Sequence, residues 1–301
     1  MTKSTPPSLK PVRTVAELRE NLARRRQNGA GIALVPTMGA LHEGHLALIR
    51  AARAKAAHVV VSIFVNPKQF GPREDYQTYP RDEAGDLAKA EAAGAELAFL
   101  PSVAEMYPEG FATTVHLAGP AVGLESDFRP GHFDGVATVV TKLLLQALPD
   151  FAFFGEKDYQ QLQVVKRLVR DLDIPTEIIA VPTVREPDGL ALSSRNLYLS
   201  AHERQIAPRL YAVLQKVAGR LQAGHAAAAE IAAGIEELRA GGFDRVDYLA
   251  LCDAESLAPL AQLDREARLL AAAWLGRTRL IDNILLAPRE GLHNLPGRTG
   301  M

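Results

Sequence analysis

His42 and His45 stand three residues apart in Pro36-Thr-Met-Gly-Ala-Leu-His-Glu-Gly-His45, between a short apolar run and a segment with helical spacing. Residues three apart on a first helical turn share a face, and a helix N-terminus attracts anions through its free N–H groups and its dipole. Two imidazole donors there suit the phosphates of a nucleotide. Gly39 and Gly44 let the turn bring its backbone close to such a ligand. A zinc site is disfavoured: the metalloprotease pattern sets its histidines four apart with a glutamate beside the first, and here Gly44 interrupts the helix start.

Three more segments carry usable chemistry. Phe154-Gly-Glu-Lys-Asp-Tyr-Gln-Gln161 delivers Lys157, which can neutralise phosphate, and Asp158, which can accept from ribose hydroxyls or N–H groups. The plain alternative is a helix cap at Asp158 and a solvated Lys157. Asp188-Gly-Leu-Ala-Leu-Ser-Ser-Arg-Asn196 sets Ser193 and Ser194 beside Arg195, whose guanidinium fork matches phosphate oxygens, or is an ordinary polar loop. In Asn66-Pro-Lys-Gln-Phe70, Asn66 and Gln69 can hydrogen-bond a carboxylate or hydroxyl. Neither a P-loop nor a Gly-x-Gly-x-x-Gly dinucleotide motif is present in the sequence.

These segments need a scaffold. Gly31–Thr37 reads as a buried strand feeding a helix that carries Leu46, Leu48, Ile49 and Ala52. His58–Val65 is a continuous β-branched run of the kind buried on both faces of a parallel sheet. A helix over Arg81–Ala93 leads through Gly94 to a strand at Glu96–Leu100, and a Gly/Pro-rich stretch, Met106–Gly135, reads as irregular. Then come a helix over Val136–Leu148 stopped by Pro149, a strand at Phe151–Phe154, a helix over Tyr159–Leu172 and a strand at Thr176–Val184. The alternation predicts a doubly wound α/β domain with a parallel sheet over 11–185, after a loose tail at 1–10. His42, Asn66 and Gly155 each follow a strand, so they should converge in one crevice at the carboxyl ends. Residues 186–301 read as a smaller α+β domain, with helices near 201–222 and 226–240 and strands around Val246–Leu251, Arg268–Ala273 and Arg279–Ile284. The alanine-rich His225–Glu230 is explained by helix propensity.

Composition narrows the class. The chain has 301 residues, 48% hydrophobic and 23% charged, and a formal net charge of −1. That balance gives no electrostatic reason for a nucleic-acid or membrane partner. Cys252 is the only cysteine, which excludes an intrachain disulfide and a multi-cysteine metal site. The polar, Pro-rich start lacks the apolar core of a signal peptide, so the expected compartment is the cytoplasm.

In order, these segments resemble the pantothenate synthetase (pantoate–β-alanine ligase) family of the nucleotidylyltransferase superfamily. The likeness also takes in Arg129-Pro-Gly-His-Phe-Asp-Gly-Val136 and Thr278-Arg-Leu-Ile-Asp-Asn-Ile284. It implies a Rossmann-like catalytic domain. The implied reaction is ATP-dependent condensation of (R)-pantoate with β-alanine through a pantoyl adenylate, releasing AMP and pyrophosphate. Because such a mixed anhydride in open water hydrolyses, the small C-terminal domain is expected to close over the active site. The resemblance also implies site residues. His42, His45, Lys157, Ser193, Ser194 and Arg195 match the phosphate contacts, with His45 at the position labelled proton donor. Met38, Gly39, Ala40, Leu41, His42, Glu43, Gly44 and His45, together with Gly155, Glu156, Lys157, Asp158, Val184, Leu192, Ser193, Ser194 and Arg195, match the ATP-contacting segments. Gln69 matches a residue near both pantoate and β-alanine, Gln161 one at pantoate, and Asn66 is a weaker candidate beside them. Magnesium is implied, held mainly by ATP phosphates, with no protein ligands assigned, and a homodimer is implied. Lys68 departs from the pattern, where an apolar residue is more usual. The alternatives are another small-acid or nucleotide adenylyltransferase, and a non-catalytic ATP-binding module.

Overall fold

The computed structural model describes residues 9–26, 31–72 and 74–288. These divide into two compact units, one ending at Leu197 and the other beginning at Tyr198. Of the expected tail at 1–10, only Leu9 and Lys10 are described, and Leu9 is buried.

The first unit runs β1 (Pro11–Val12), α1 (Val15–Arg26), β2 (Ile32–Thr37), α2 (Glu43–Lys55), β3 (His58–Ile63), α3 (Glu83–Ala93), β4 (Leu97–Phe99), α4 (Val103–Met106), α5 (Glu125–Phe128), α6 (His132–Ala147), β5 (Phe151–Gly155), α7 (Tyr159–Asp171) and β6 (Glu177–Val181). Its six strands lie in the order β1-β4-β3-β2-β5-β6, all parallel. This is the doubly wound α/β sheet expected from the alternating pattern. The β-branched runs are central for a physical reason: Ile32 to Val35 on β2 and Val59 to Val61 on β3 are almost fully shielded, as strands covered on both faces must be. Chain order reverses across β2 and β5, since β3 and β4 follow on one side of β2 and β5 and β6 on the other. In open sheets of this kind, ligands bind outside the strand carboxyl ends at that switch point.

The first unit differs from the sequence reading in several details. Strand β1 and helix α1 are absent from that reading. Helix α6 begins at His132 rather than Val136, because Gly131, at φ 78°, caps a polar first turn that reads as loop. The first unit also extends past residue 185: Val184 and Leu192 pair through Leu192 N–H to Val184 O at 3.0 Å, with Arg185 bridged to Ala191. The serine–arginine segment that follows therefore belongs to the first unit.

The second unit holds α8 (Ala201–Ile206), α9 (Arg209–Gln222), α10 (Ala227–Ala240), β7 (Arg245–Asp253), β8 (Ala267–Leu275) and β9 (Thr278–Leu286). The strands form an antiparallel sheet in the order β7-β8-β9, packed against α9 and α10. The single helix expected over 201–222 is two, because Pro208 cannot donate the backbone bond a continuous helix needs there. No helix among the described residues is long and apolar enough to cross a membrane.

Candidate active site

The turn after β2 places the histidines. His42 is the N-cap of α2, and its Nδ1 accepts from Gly44 N–H at 3.2 Å, while His45 Nδ1 accepts from His42 N–H at 3.3 Å. The two imidazoles thus form a reciprocal capping box, with ring centroids 4.1 Å apart. Gly44 makes this possible, since a Cβ there would lie 2.9 Å from His42 Cε1. The tautomer follows from the geometry. A ring whose Nδ1 accepts a backbone N–H carries its hydrogen on Nε2, so each ring presents an Nε2–H donor. Burial, then the charge of Lys157, lowers the His42 pKa to about 4; burial, then His42, lowers that of His45 to about 3. Both are neutral donors at pH 7.

The turn itself is clamped from α3. Asp86 accepts from Ala40 N–H at 2.8 Å and Leu41 N–H at 2.7 Å, and Lys89 Nζ donates to Leu41 O at 2.9 Å. Ala40 sits at φ 51°, a backbone conformation that L-residues seldom adopt.

Across the switch point, the bend after β5 brings Gly155, Lys157 and Asp158 to the same cavity as His42 and His45. Lys157 Nζ lies 3.5 Å from Asp158 Oδ1. Asp158 makes no side-chain cap bond to α7, so the plain cap reading does not hold. A Cβ on Gly155 would meet no protein atom within 4 Å, so the cavity is open beside it. The Ser193–Arg195 segment closes the group. Ser194 Oγ donates to Ala40 O at 3.2 Å, and the Arg195 guanidinium is held by both oxygens of Asp75 at 3.0 and 2.9 Å, with Tyr79 beneath it at 5.7 Å.

Met38, Asn66, Gln69, Gln161, Leu192, Ser193, Ser194 and Arg195 also line this cavity. Its apolar side comes from Phe64 and from Val136, Val139, Val140 and Leu143 on α6. Of the other residues expected from the resemblance, Ala40 and Leu41 give their N–H groups to Asp86 and Glu43 pairs with Arg50 on the surface. Gly39, Glu156 and Val184 are likewise outside the cavity lining. The cavity therefore combines a cationic, N–H-donating set of side chains with a carboxamide and aliphatic one. Such a pair of environments can hold a polyphosphate next to a small polar acid.

The family model described as pantoate-beta-alanine ligase matches residues 10–285. The chain belongs to that family. It is 58% identical over 275 residues to the pantothenate synthetase of Chelativorans sp. (strain BNC1), covering 91% of this chain and 97% of the relative. Among solved structures, the pantothenate synthetase of Thermus thermophilus superposes with a TM-score of 0.87 at 52% identity, over 93% of this chain and all of that one. A pantoate-beta-alanine ligase of Francisella tularensis, complexed with beta-gamma ATP and beta-alanine, gives 0.78 at 34% identity, covering 92% of this chain and 98% of that one. Membership makes this chain an enzyme, a ligase with the α/β fold described above.

Several residues of this ligase's cavity carry no sequence signal of their own. Tyr79 lies in the loop between β3 and α3, as does Asp75, which holds Arg195 from outside the cavity lining. Arg129 and His132 fall in a motif that the resemblance includes without assigning a role. His132 Nδ1 bonds Gln69 O at 2.9 Å, its Nε2 lies 3.2 Å from Arg129 Nη1, and Glu74 holds Arg129 at 2.6 Å. Burial, then the Arg129 charge, lowers the His132 pKa to about 4. A neutral ring fits this chain, donating from Nδ1 to the carbonyl and accepting at Nε2.

Proposed function

We propose that this enzyme condenses (R)-pantoate with β-alanine to pantothenate, with ATP cleaved to AMP and pyrophosphate through an enzyme-bound pantoyl adenylate. One observation carries the reading: the histidine turn, the Gly155–Asp158 bend and the Ser193–Arg195 segment share a single cavity with Gln69 and Gln161. Phosphate-matched donors and a carboxamide-walled pocket stand side by side, as an acid being adenylated requires.

In the first half-reaction a pantoate carboxylate oxygen attacks the α-phosphorus, and the bond to the bridging oxygen breaks to release pyrophosphate. Negative charge accumulates on the phosphate oxygens, so fixed donors aimed there lower the barrier. His42, His45, Lys157, Ser193, Ser194 and Arg195 take this role. His45 acts as a neutral Nε2–H donor, since its partly buried ring holds no spare proton at pH 7. Gln69 and Gln161 hold the acid. In the second half-reaction the neutral amine of β-alanine attacks the acyl carbon, the acyl C–O bond of the mixed anhydride breaks with its electron pair leaving on AMP, and the attacking nitrogen gives up one proton to the departing phosphate or to water. The donor set at the phosphate end is cations and imidazoles with a single carboxylate, Asp158. That set fits phosphate oxygens, and a magnesium ion would be held by the phosphates and water and neutralise charge there.

The test is pyrophosphate release. Pantoate with ATP should release pyrophosphate without β-alanine, and amide should form only once β-alanine is added. Release with a nucleotide acceptor but not with pantoate would assign the site to another adenylyltransferase. Tight ATP binding without release would make it a binding module.

A further inference from the structure

Asn66 is 1% exposed, and all four hydrogen-bonding positions of its amide are taken. Its Oδ1 accepts from Lys68 N–H at 3.2 Å and from Tyr107 Oη at 2.8 Å; its Nδ2 donates to Gly135 O at 3.1 Å and to Gln69 Oε1 at 3.0 Å. Two of these partners are backbone groups of fixed polarity, a donor at Lys68 and an acceptor at Gly135. They set which end of the Asn66 amide is oxygen, and a flipped amide would face N–H with N–H and oxygen with oxygen. With Nδ2 thus fixed, Gln69 must turn its own oxygen toward Asn66. Its Nε2 is then left at the cavity side, 3.2 Å from Met38 Sδ. A thioether is a weak acceptor, so an oxygen of a bound acid can take that N–H readily. The backbone of Gln69 is held from the other side by His132.

We propose that Asn66 is a positioning residue that does not touch the acid: it turns the Gln69 amide so that N–H donors face the acid-binding end of the cavity, and Tyr107 supports it by filling its second oxygen lone pair. Lys68 joins the same assembly. Its Nζ sits 5.1 Å from the Tyr107 ring centroid and 5.3 Å from that of Phe111, which ties the Asn66–Gln69 turn to the loop carrying Tyr107. Selection follows from the chemistry. A fixed pair of N–H donors favours a carboxylate or hydroxyl oxygen and disfavours an acid analogue that presents an N–H at that point. The inference rests on the proposed placement of the acid at Gln69.

The experiment is a double-mutant cycle read in KM for pantoate, with KM for ATP as the control. Asn66→Leu should raise KM for pantoate by about tenfold to a hundredfold, the range for hydrogen bonds to charged groups, and leave KM for ATP unchanged. Tyr107→Phe, which removes one hydroxyl and keeps the ring, should act in the same direction by a smaller factor; it provides the test if Asn66→Leu fails to fold. In a Gln69→Leu background both effects should vanish, because the residue they act through is gone. Full additivity on Gln69→Leu, or an unchanged KM for pantoate in both single variants, would overturn the proposal. If Gln69→Leu alone left KM for pantoate unchanged, the placement of the acid would fall first and the proposal with it.

Discussion

Asp86 lies outside the cavity, yet it should govern the rate of adenylation. Its two oxygens hold Ala40 N–H and Leu41 N–H at 2.8 and 2.7 Å, immediately before the residue that caps α2 with an imidazole. A hydrogen bond to a carboxylate contributes roughly 1.5–3 kcal/mol. Asp86→Asn keeps one such acceptor without its charge and turns an NH2 group toward the other N–H, so about 2 kcal/mol or more of restraint is lost. The turn has reason to move. Ala40 is held at φ 51°, a conformation that costs on the order of 1–3 kcal/mol, and the remaining bonds from Lys89 and Ser194 grip only carbonyl oxygens. A displacement of about 1 Å at the reacting groups can cost on the order of a hundredfold in rate. Single-turnover pyrophosphate release at saturating ATP and pantoate should therefore slow by about that factor in Asp86→Asn. ATP affinity, measured by calorimetry, should fall by much less. Gly39→Ala should act in the same sense, since its Cβ would lie 3.0 Å from Asp86 Oδ2 at a backbone φ of +84°. A folded Asp86→Asn enzyme with the parental adenylation rate would refute the reasoning.

Two further outcomes follow from the histidines. His45→Ala should slow adenylation by about a hundredfold to a thousandfold, the usual cost of one preorganised donor, while ATP binding weakens far less; an unchanged adenylation rate would remove His45 from the mechanism. Thermal stability should also depend on pH. His45 and His132 titrate at about 3 and about 4 in the fold and near 6.5 in the unfolded chain. Below pH 6.5 the unfolded state therefore binds more protons. Their contribution is complete above pH 6.5 and is lost as the pH falls toward 4. For His132 the loss at pH 5 is about 2 kcal/mol. His132→Gln should flatten the fall in melting temperature between pH 7 and 5, and an identical slope in variant and parent would contradict the neutral assignment.

Much of the site is legible in the sequence because its pieces are local. The strand–turn–helix of Ile32–Lys55 follows from a buried apolar run, two glycines and a helical apolar face, and the His42–His45 spacing places both rings on one turn without any knowledge of the rest of the fold. The same holds for the bend after Phe154. The parallel sheet follows from strands alternating with helices, with the central β-branched run His58–Val65 of the kind covered on both faces. The boundaries that moved did so at a polar first turn at His132 and a hairpin over Val184–Leu192 that reads as loop, where the local signal is hidden, and at Pro208, whose helix-breaking signal is plain in the sequence.

What the sequence by itself determined is thus the set of donors and the elements that carry them, since backbone periodicity and capping act over a few residues. Only the tertiary structure decided what each donor faces. Asp75 meets Arg195 across a sequence separation of 120 residues, Asp86 reaches the histidine turn from α3, and Asn66 fixes the sense of Gln69 only because the Gly135 carbonyl arrives from α6. Those pairings depend on the order in which strands are laid beside β2. Hydrogen bonds of this kind are set by distance and angle in space, and spacing along the chain leaves no trace of them.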